Sequence, residues 1–397
     1  MRKTLLTLIL TLAWNALFSA APAPDPPRGP SLRQPDGRFV NYTVADGLSS
    51  NMVHAIVQDG EGLLWVGTRN GLNRFDGVTF ERFDTHDGLP GNLVTSLCTD
   101  RENRLWVGTS RGFAVMGDQG FDCFPGRHVR ALLATGDGFV WAATKDSLLY
   151  RLCYREGRGI VKLDSARYLI GDFEGDYPYQ QIFEDSLGRL WLGGRMVNSQ
   201  VISNKDSVSI VSVPASGGEN TGSYVTGPGG RLLAFDDYRN RLLELDEDGR
   251  GYHSLGRMPL AHGSLLRDSR GRIWAAGSYG LARVDTDDPA RSPVFRHDPD
   301  DETSIGSTEL FCLYEDRQGN LWVGGNNGLS VLSPFLQQTV CLTRRKGLPS
   351  QQVTALMQSR DGRLWIGTAD KGAMRVDLES GEIQPVDYRV AGRQNEG

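Results

Sequence analysis

Four cations stand at one place in a recurring pattern: Arg69, Arg111, Lys145 and Arg195 each follow a tryptophan by four or five residues. A guanidinium presents paired donors that match a carboxylate or a sulfate, so cations repeated along one rim would suit an anionic ligand. The fifth copy of the pattern breaks the sign, because Asp236 and Asp237 follow Leu233 there. Other reactive residue types give less. His54, His86, His128, His253, His262 and His297 are scattered and show no metal-ligand spacing. The acidic run 297–304 offers Asp298, Asp300 and Asp301, but Pro299 interrupts it and it lacks the glycine at which a calcium loop turns, so a solvated loop is expected and no metal site. There is no GxSxG elbow, and 48 acidic residues provide too many pairs for sequence to select one for glycoside hydrolysis. The residues predict a binding protein with neither enzyme activity nor cofactor.

The elements that must position those cations are set by the tryptophans. Trp65, Trp106, Trp141, Trp191, Trp274, Trp322 and Trp365 share one register, with Leu233 standing in once, at steps of 35 to 50 residues. Three positions before each stands glycine, or Asn103 in the second copy. These residues best tolerate positive φ, which makes the position a hairpin turn rather than a phosphate loop. In five copies Asp precedes that position by three residues, where its carboxylate can accept N–H groups of the turn. Runs such as LLWVG and RLWLG are apolar on consecutive residues, so both faces of the strand must be buried. Four short strands per repeat of about 40 residues predict an all-β chain, a β-propeller of four-stranded blades. In such a blade the turn after the second strand shares a face with the crossover to the next blade, which places the four cations on one rim.

The bulk properties agree with an exported soluble fold. An apolar fraction of 39% is ordinary, and 49 glycines favour tight turns over helices. Residues 1–21 carry Arg2 and Lys3, then an apolar run from Leu5 to Phe18, then small residues, which is the layout of a secretory signal peptide. Its removal takes the formal charge from −5 to −7, which argues against nucleic acid as a partner. A Pro-rich linker is expected over 22–37. Five cysteines lack CxxC spacing; Cys98 in SLCTD and Cys312 in FCLYED sit in apolar, strand-like surroundings and read as buried thiols, with a disulfide between some pair left open.

The stretch GLSSNMVHAIVQDGEGLLWVGTRNGLNRFDG from Gly47, with HDPDDETSIGSTEL before CLYEDRQGNLWVGG, resembles the two-component regulator propeller repeat. The resemblance covers about residues 39 to 385. It implies the periplasmic sensor region of a hybrid histidine kinase, detecting an oligosaccharide and signalling to kinase domains of the same polypeptide, with a homodimer as a further expectation. It also implies a seven-bladed propeller over 38–335 and the first blade of a second over 336–397, although eight repeats also fit one eight-bladed ring. A secreted propeller enzyme or lectin acting on polysaccharide is the alternative. FVNYTV from Phe39 has the spacing of an outer strand lacking its own blade, so it is expected to close the ring against Gly328 to Leu332.

Overall fold

The structure is a computed structural model. It describes residues 37–117, 120–168, 180–194, 197–203, 207–213, 221–246, 249, 251–334, 348, 350, 352–359, 361–377 and 382–386. The expected signal peptide, the linker up to residue 36, Arg195 and Cys341 lie outside the described residues. The chain divides into two compact units, Gly37–Pro334 and a second that contains Phe335–Gly397.

Every sheet has four antiparallel strands. Sheets one to six span 53–83, 94–125, 129–167, 180–212, 221–257 and 261–295. The seventh spans 310–332 and takes Phe39–Tyr42 as its fourth strand, with Phe39 opposite Leu332 and Tyr42 opposite Leu329. This is the closure expected from FVNYTV. The loop 297–304 helps hold it: Phe39 donates its N–H to the Thr303 carbonyl at 2.8 Å, and Asn41 Nδ2 donates to the Ser304 carbonyl at 2.9 Å. The first strand of each sheet packs beside the first strand of the next, and Val53–Gln58 of sheet one packs on Leu310–Glu315 of sheet seven. The first strands therefore form the inner wall of a closed ring.

Two local devices explain the repeated motif. First, the aspartate joins the turn to the tryptophan. In sheet one, Asp59 Oδ1 accepts the N–H groups of Glu61 and Leu63, both at 3.0 Å, while Oδ2 accepts Trp65 Nε1 at 2.7 Å. Asp100, Asp185, Asp268 and Asp316 make the same set with Trp106, Trp191, Trp274 and Trp322. The sequence pattern indicated the turn bonds but not the indole bond, which needs the strand to curl back over the turn. Burial alone would push Asp185 and Asp268 up, yet the indole, backbone and arginine donors outweigh it and hold both carboxyls below their ordinary value. The third repeat has Thr135 in place of the aspartate; its hydroxyl bonds Asp137 and Phe139, and the buried Trp141 Nε1 has no partner.

Second, the glycine two residues after the tryptophan lets the next sheet approach. A Cβ on Gly67 would lie 2.5 Å from Val94 Cγ1, on Gly108 2.8 Å from Val129 Cγ1, and on Gly324 2.5 Å from Val53 Cγ1. Each valine opens the first strand of the following sheet, and Val53, Val94 and Val129 are fully buried. Side chains also bridge neighbouring sheets. Glu184 accepts Gly136 N–H, Glu315 accepts Ser269 N–H, and Gln58 accepts Arg317 N–H across the closure. The tryptophans sit between sheets, with Trp106, Trp141 and Trp191 essentially without solvent contact.

In the second unit, an eighth sheet spans 353–385 with the same strand order. No helix among the described residues is long and apolar enough to cross a membrane.

Candidate functional site: the crossover face of the ring

In sheets one, two, three, six and seven the turn after the second strand hydrogen-bonds to a crossover between sheets. Arg69 N–H donates to Met52 O, Ser110 N–H to Leu93 O, Lys145 N–H to His128 O, Tyr279 N–H to Thr308 O and Asn326 N–H to Glu309 O, all at 2.9 to 3.0 Å. These turns and the crossovers thus share one face, as strand parity required. The Gly-Thr pair builds the turn: Thr68 and Thr109 hydroxyls donate to the carbonyls of Gly71 and Gly112 and accept the N–H groups of Asn70 and Arg111.

Three of the expected site residues, Arg69, Arg111 and Lys145, are exposed in these turns on sheets one to three. They are not strictly equivalent, since Arg69 is the first residue of its two-residue turn and Arg111 the second. Beside Lys145, Asp146 pairs with Arg127. The acidic pair of the fifth repeat divides its roles. Asp236 is fully buried and accepts Arg241 Nη2 at 3.0 Å, whereas Asp237 turns toward the inner wall and accepts Gly263 N–H at 3.1 Å. A Cβ on Gly222 would overlap the Asp237 carboxylate, so glycine there makes its room. Burial, with Asp236 beside it, raises Asp237 to about 7 against the pull of the Gly263 N–H.

One feature gave no sequence signal. In six sheets of the ring, the first strand shifts register by an extra residue near its start: His54, Thr95, Arg130, Gly222, the His262–Gly263 pair and Phe311. The strand Gln180–Glu184 of sheet four pairs without a shift. A bulge re-aims the side chain it carries and bends the strand. Because the first strand begins at the crossover face, these residues ring the inner wall at that end. His54 and Phe311, from adjacent sheets, stack with centroids 5.6 Å apart. Burial, and then the charge of Arg69, lower His54 to about 4, so it is a neutral ring at neutral pH. Thr95 Oγ1 donates to Val129 O at 2.6 Å, and His262 holds a left-handed φ of +54°. This end of the wall therefore joins a neutral aromatic pair, a hydroxyl, a guanidinium, an imidazole and a half-buried carboxyl, beside an arc of exposed cations.

Among the described residues, no group of three histidine, cysteine or acidic side chains is placed to hold a metal ion. In the loop 297–304, Asp298 and Asp301 use their oxygens on the N–H groups of Asp300 and Thr303. The described cysteines Cys98, Cys123, Cys153 and Cys312 are unbridged.

Four segments, residues 47–70, 88–111, 304–327 and 347–370, match the family model described as Two component regulator propeller. The chain carries two-component regulator propeller repeats. The first three matched segments each run from a crossover through the tryptophan strand into the turn on the crossover face. A 53-residue stretch, 13% of the chain, is 53% identical to part of histidine kinase P4 of Formosa agariphila and spans 4% of that protein. The fold resembles the extracellular domains of two putative two-component systems of B. thetaiotaomicron. One matches with a TM-score of 0.58 and 16% identity over 89% of this chain and 55% of that one. The other gives 0.60 and 18% over 90% and 48%. The chain thus spans about half the length of these domains. A virginiamycin B lyase from Staphylococcus aureus shares the fold at a TM-score of 0.55 and 13% identity, over 75% of this chain and 98% of the lyase.

Proposed function

We propose that the ring is the extracytoplasmic ligand-sensing domain of a two-component signalling protein, exported to the periplasm by its N-terminal signal peptide. In this reading Gly37–Pro334 is a seven-bladed propeller, and the eighth sheet begins a second one. The ligand is a carbohydrate-derived molecule carrying carboxylate or sulfate groups, and it lies on the crossover face. The protein acts by binding, and a histidine kinase in the same polypeptide, working as a homodimer, converts occupancy into signal.

The observation that carries this proposal is the run of exposed cations, Arg69, Arg111 and Lys145, on three successive sheets beside the bulged inner wall. Cations on one rim raise the local concentration of an anionic ligand, and guanidinium groups grip its oxygens in pairs. Repeats that match a family of two-component regulators support the signalling role. Calorimetric titration of uronate-containing and sulfated tetrasaccharides, against neutral counterparts, tests it. Binding of the acidic sugars is expected to weaken with salt and to fall about tenfold or more in Arg69→Ala/Arg111→Ala. Binding of neutral sugars alone, or indifference to the double substitution, overturns the anionic ligand.

A second reading, a secreted propeller enzyme or lectin acting on polysaccharide, draws on the lyase likeness, which is one of fold. Turnover of a tetrasaccharide by the purified chain would favour it.

A further inference from the structure

Between sheets five and six the crossover face opens into a cavity of about 390 Å³, lined among others by Asn240, Arg257, Met258, Leu260, Tyr279 and Ala290. Its cause is local. The outer strand of sheet six has two residues, Val294–Phe295, and the preceding connection folds so that Pro289 packs on Gly256 in the outer strand of sheet five. Met258 and Leu260 give the cavity a buried apolar floor, while Arg257 is exposed at its edge.

Tyr279 stands over this cleft at 62% exposure and with φ of +81°. That conformation is strained for a bulky residue. The same position in the two-residue turns of sheets one, two and seven holds Asn70, Arg111 and Asn327, none of which has positive φ, although asparagine tolerates it best. The strained turn is pinned from both sides: Tyr279 donates its N–H to Thr308 O at 2.9 Å, and its carbonyl accepts Arg296 Nη1 at 2.8 Å. An unfavourable backbone, held by two hydrogen bonds, thus projects an aromatic ring into solvent beside an apolar-floored cavity.

We propose that this cleft is a second subsite for the sensed carbohydrate, taking one uncharged pyranose unit whose C–H face stacks on the Tyr279 ring. The inference rests on the reading that the crossover face binds carbohydrate. Its size is that of a small-ligand pocket, and its groups match a sugar: an apolar floor and a flat ring for the C–H face, Asn240 and Arg257 for the hydroxyls.

The test uses the full chain and the same acidic and neutral tetrasaccharides, with Tyr279→Asn and Tyr279→Phe. Asparagine relieves the strain and removes the ring; phenylalanine keeps the ring. Tyr279→Asn is expected to unfold at a higher temperature than the parent yet bind both classes of sugar about tenfold more weakly, while Tyr279→Phe stays within about twofold. Arg69→Ala/Arg111→Ala should affect the acidic class alone. Unchanged affinity in Tyr279→Asn, or equal loss in both Tyr279 variants, overturns the subsite; if the arginine pair still matters, the wider reading stands. If the parent chain binds neither class, both fall.

Discussion

Sheets one and eight are two printings of one sequence pattern. Val53–Gln58 reads VHAIVQ and Val353–Gln358 reads VTALMQ, and the two strands pair with LWVGT and LWIGT through the same register and the same shift. Their environments differ. Ile56 and Val57 are 7% and 8% exposed, whereas Leu356 and Met357 are 37% and 58% exposed. The hairpin is therefore encoded locally, and burial of its two faces is supplied by neighbouring sheets. A lone sheet of this type leaves an apolar face in water, which is why such repeats gain stability by stacking.

Removing the indoles should separate the two sheets most widely. Trp65→Ala should destabilise the ring by about 3–5 kcal/mol through the cavity it leaves between sheets. Trp365→Ala should cost the eighth sheet about 1–2 kcal/mol, since that ring is already partly solvated. Denaturant unfolding of both variants decides, and equal losses would end the distinction.

The acceptor beneath the indole also differs between the two sheets. Sheet one uses the Asp59 carboxylate for three donors, while sheet eight offers the Ser359 hydroxyl to Trp365 at 3.2 Å. Writing Asp59→Ser should cost about 2–3 kcal/mol, because charge-assisted bonds to the turn are lost in a buried place. Ser359→Asp should slow hydrogen exchange in strands Val353–Gln358 and Leu364–Thr368. An unchanged exchange rate there would mean that the latch is not limiting in the eighth sheet.

Glycine gives a smaller contrast. A Cβ at Gly67 meets Val94 of the next sheet at 2.5 Å, whereas at Gly367 the nearest atom is Ala355 Cβ, within its own sheet, at 3.2 Å. Gly67→Ala is expected to cost about 2 kcal/mol from overpacking and Gly367→Ala under about 0.5 kcal/mol, read from melting temperatures.

The smallest effect is a pH dependence of the ring. Asp237 is raised from 3.8 to about 7, so between those values the native state holds a proton that the unfolded chain has released. Its contribution to stability is full below about pH 4, falls as pH rises to 7 and is level above. His54 works oppositely: it drops from 6.5 to about 4, and stability falls as acid protonates the unfolded chain first. The difference between parent and Asp237→Asn isolates the first term. The variant should match the parent near pH 4 and exceed it by about 1 kcal/mol at pH 8, because the half-buried carboxylate keeps some contact with water. A constant difference across pH would remove Asp237 as a titrating group.

The local units were legible along the chain. The spacing of Asp, Gly and Trp set each hairpin, the apolar doublets required two buried faces, and Phe39 to Val44 declared itself an orphan outer strand, because all of these rest on contacts within a few residues or on a two-residue period. Parity also placed Arg69, Arg111 and Lys145 on one face. The remaining features depend on how the sheets meet in three dimensions. The indole bond to Asp59 needs a turn folded over its own strand, and the bulges at His54, Thr95, Arg130 and Phe311 show no residue type in common. Asp236 and Asp237 look alike in sequence, yet one is buried against Arg241 and the other fills the space above Gly222, because adjacent turn residues point to different neighbours. The cleft beneath Tyr279 exists because an outer strand is two residues long and a loop leans on the preceding sheet. These are contacts between sheets, set by how separate parts of the chain meet, and no periodicity along the chain records them.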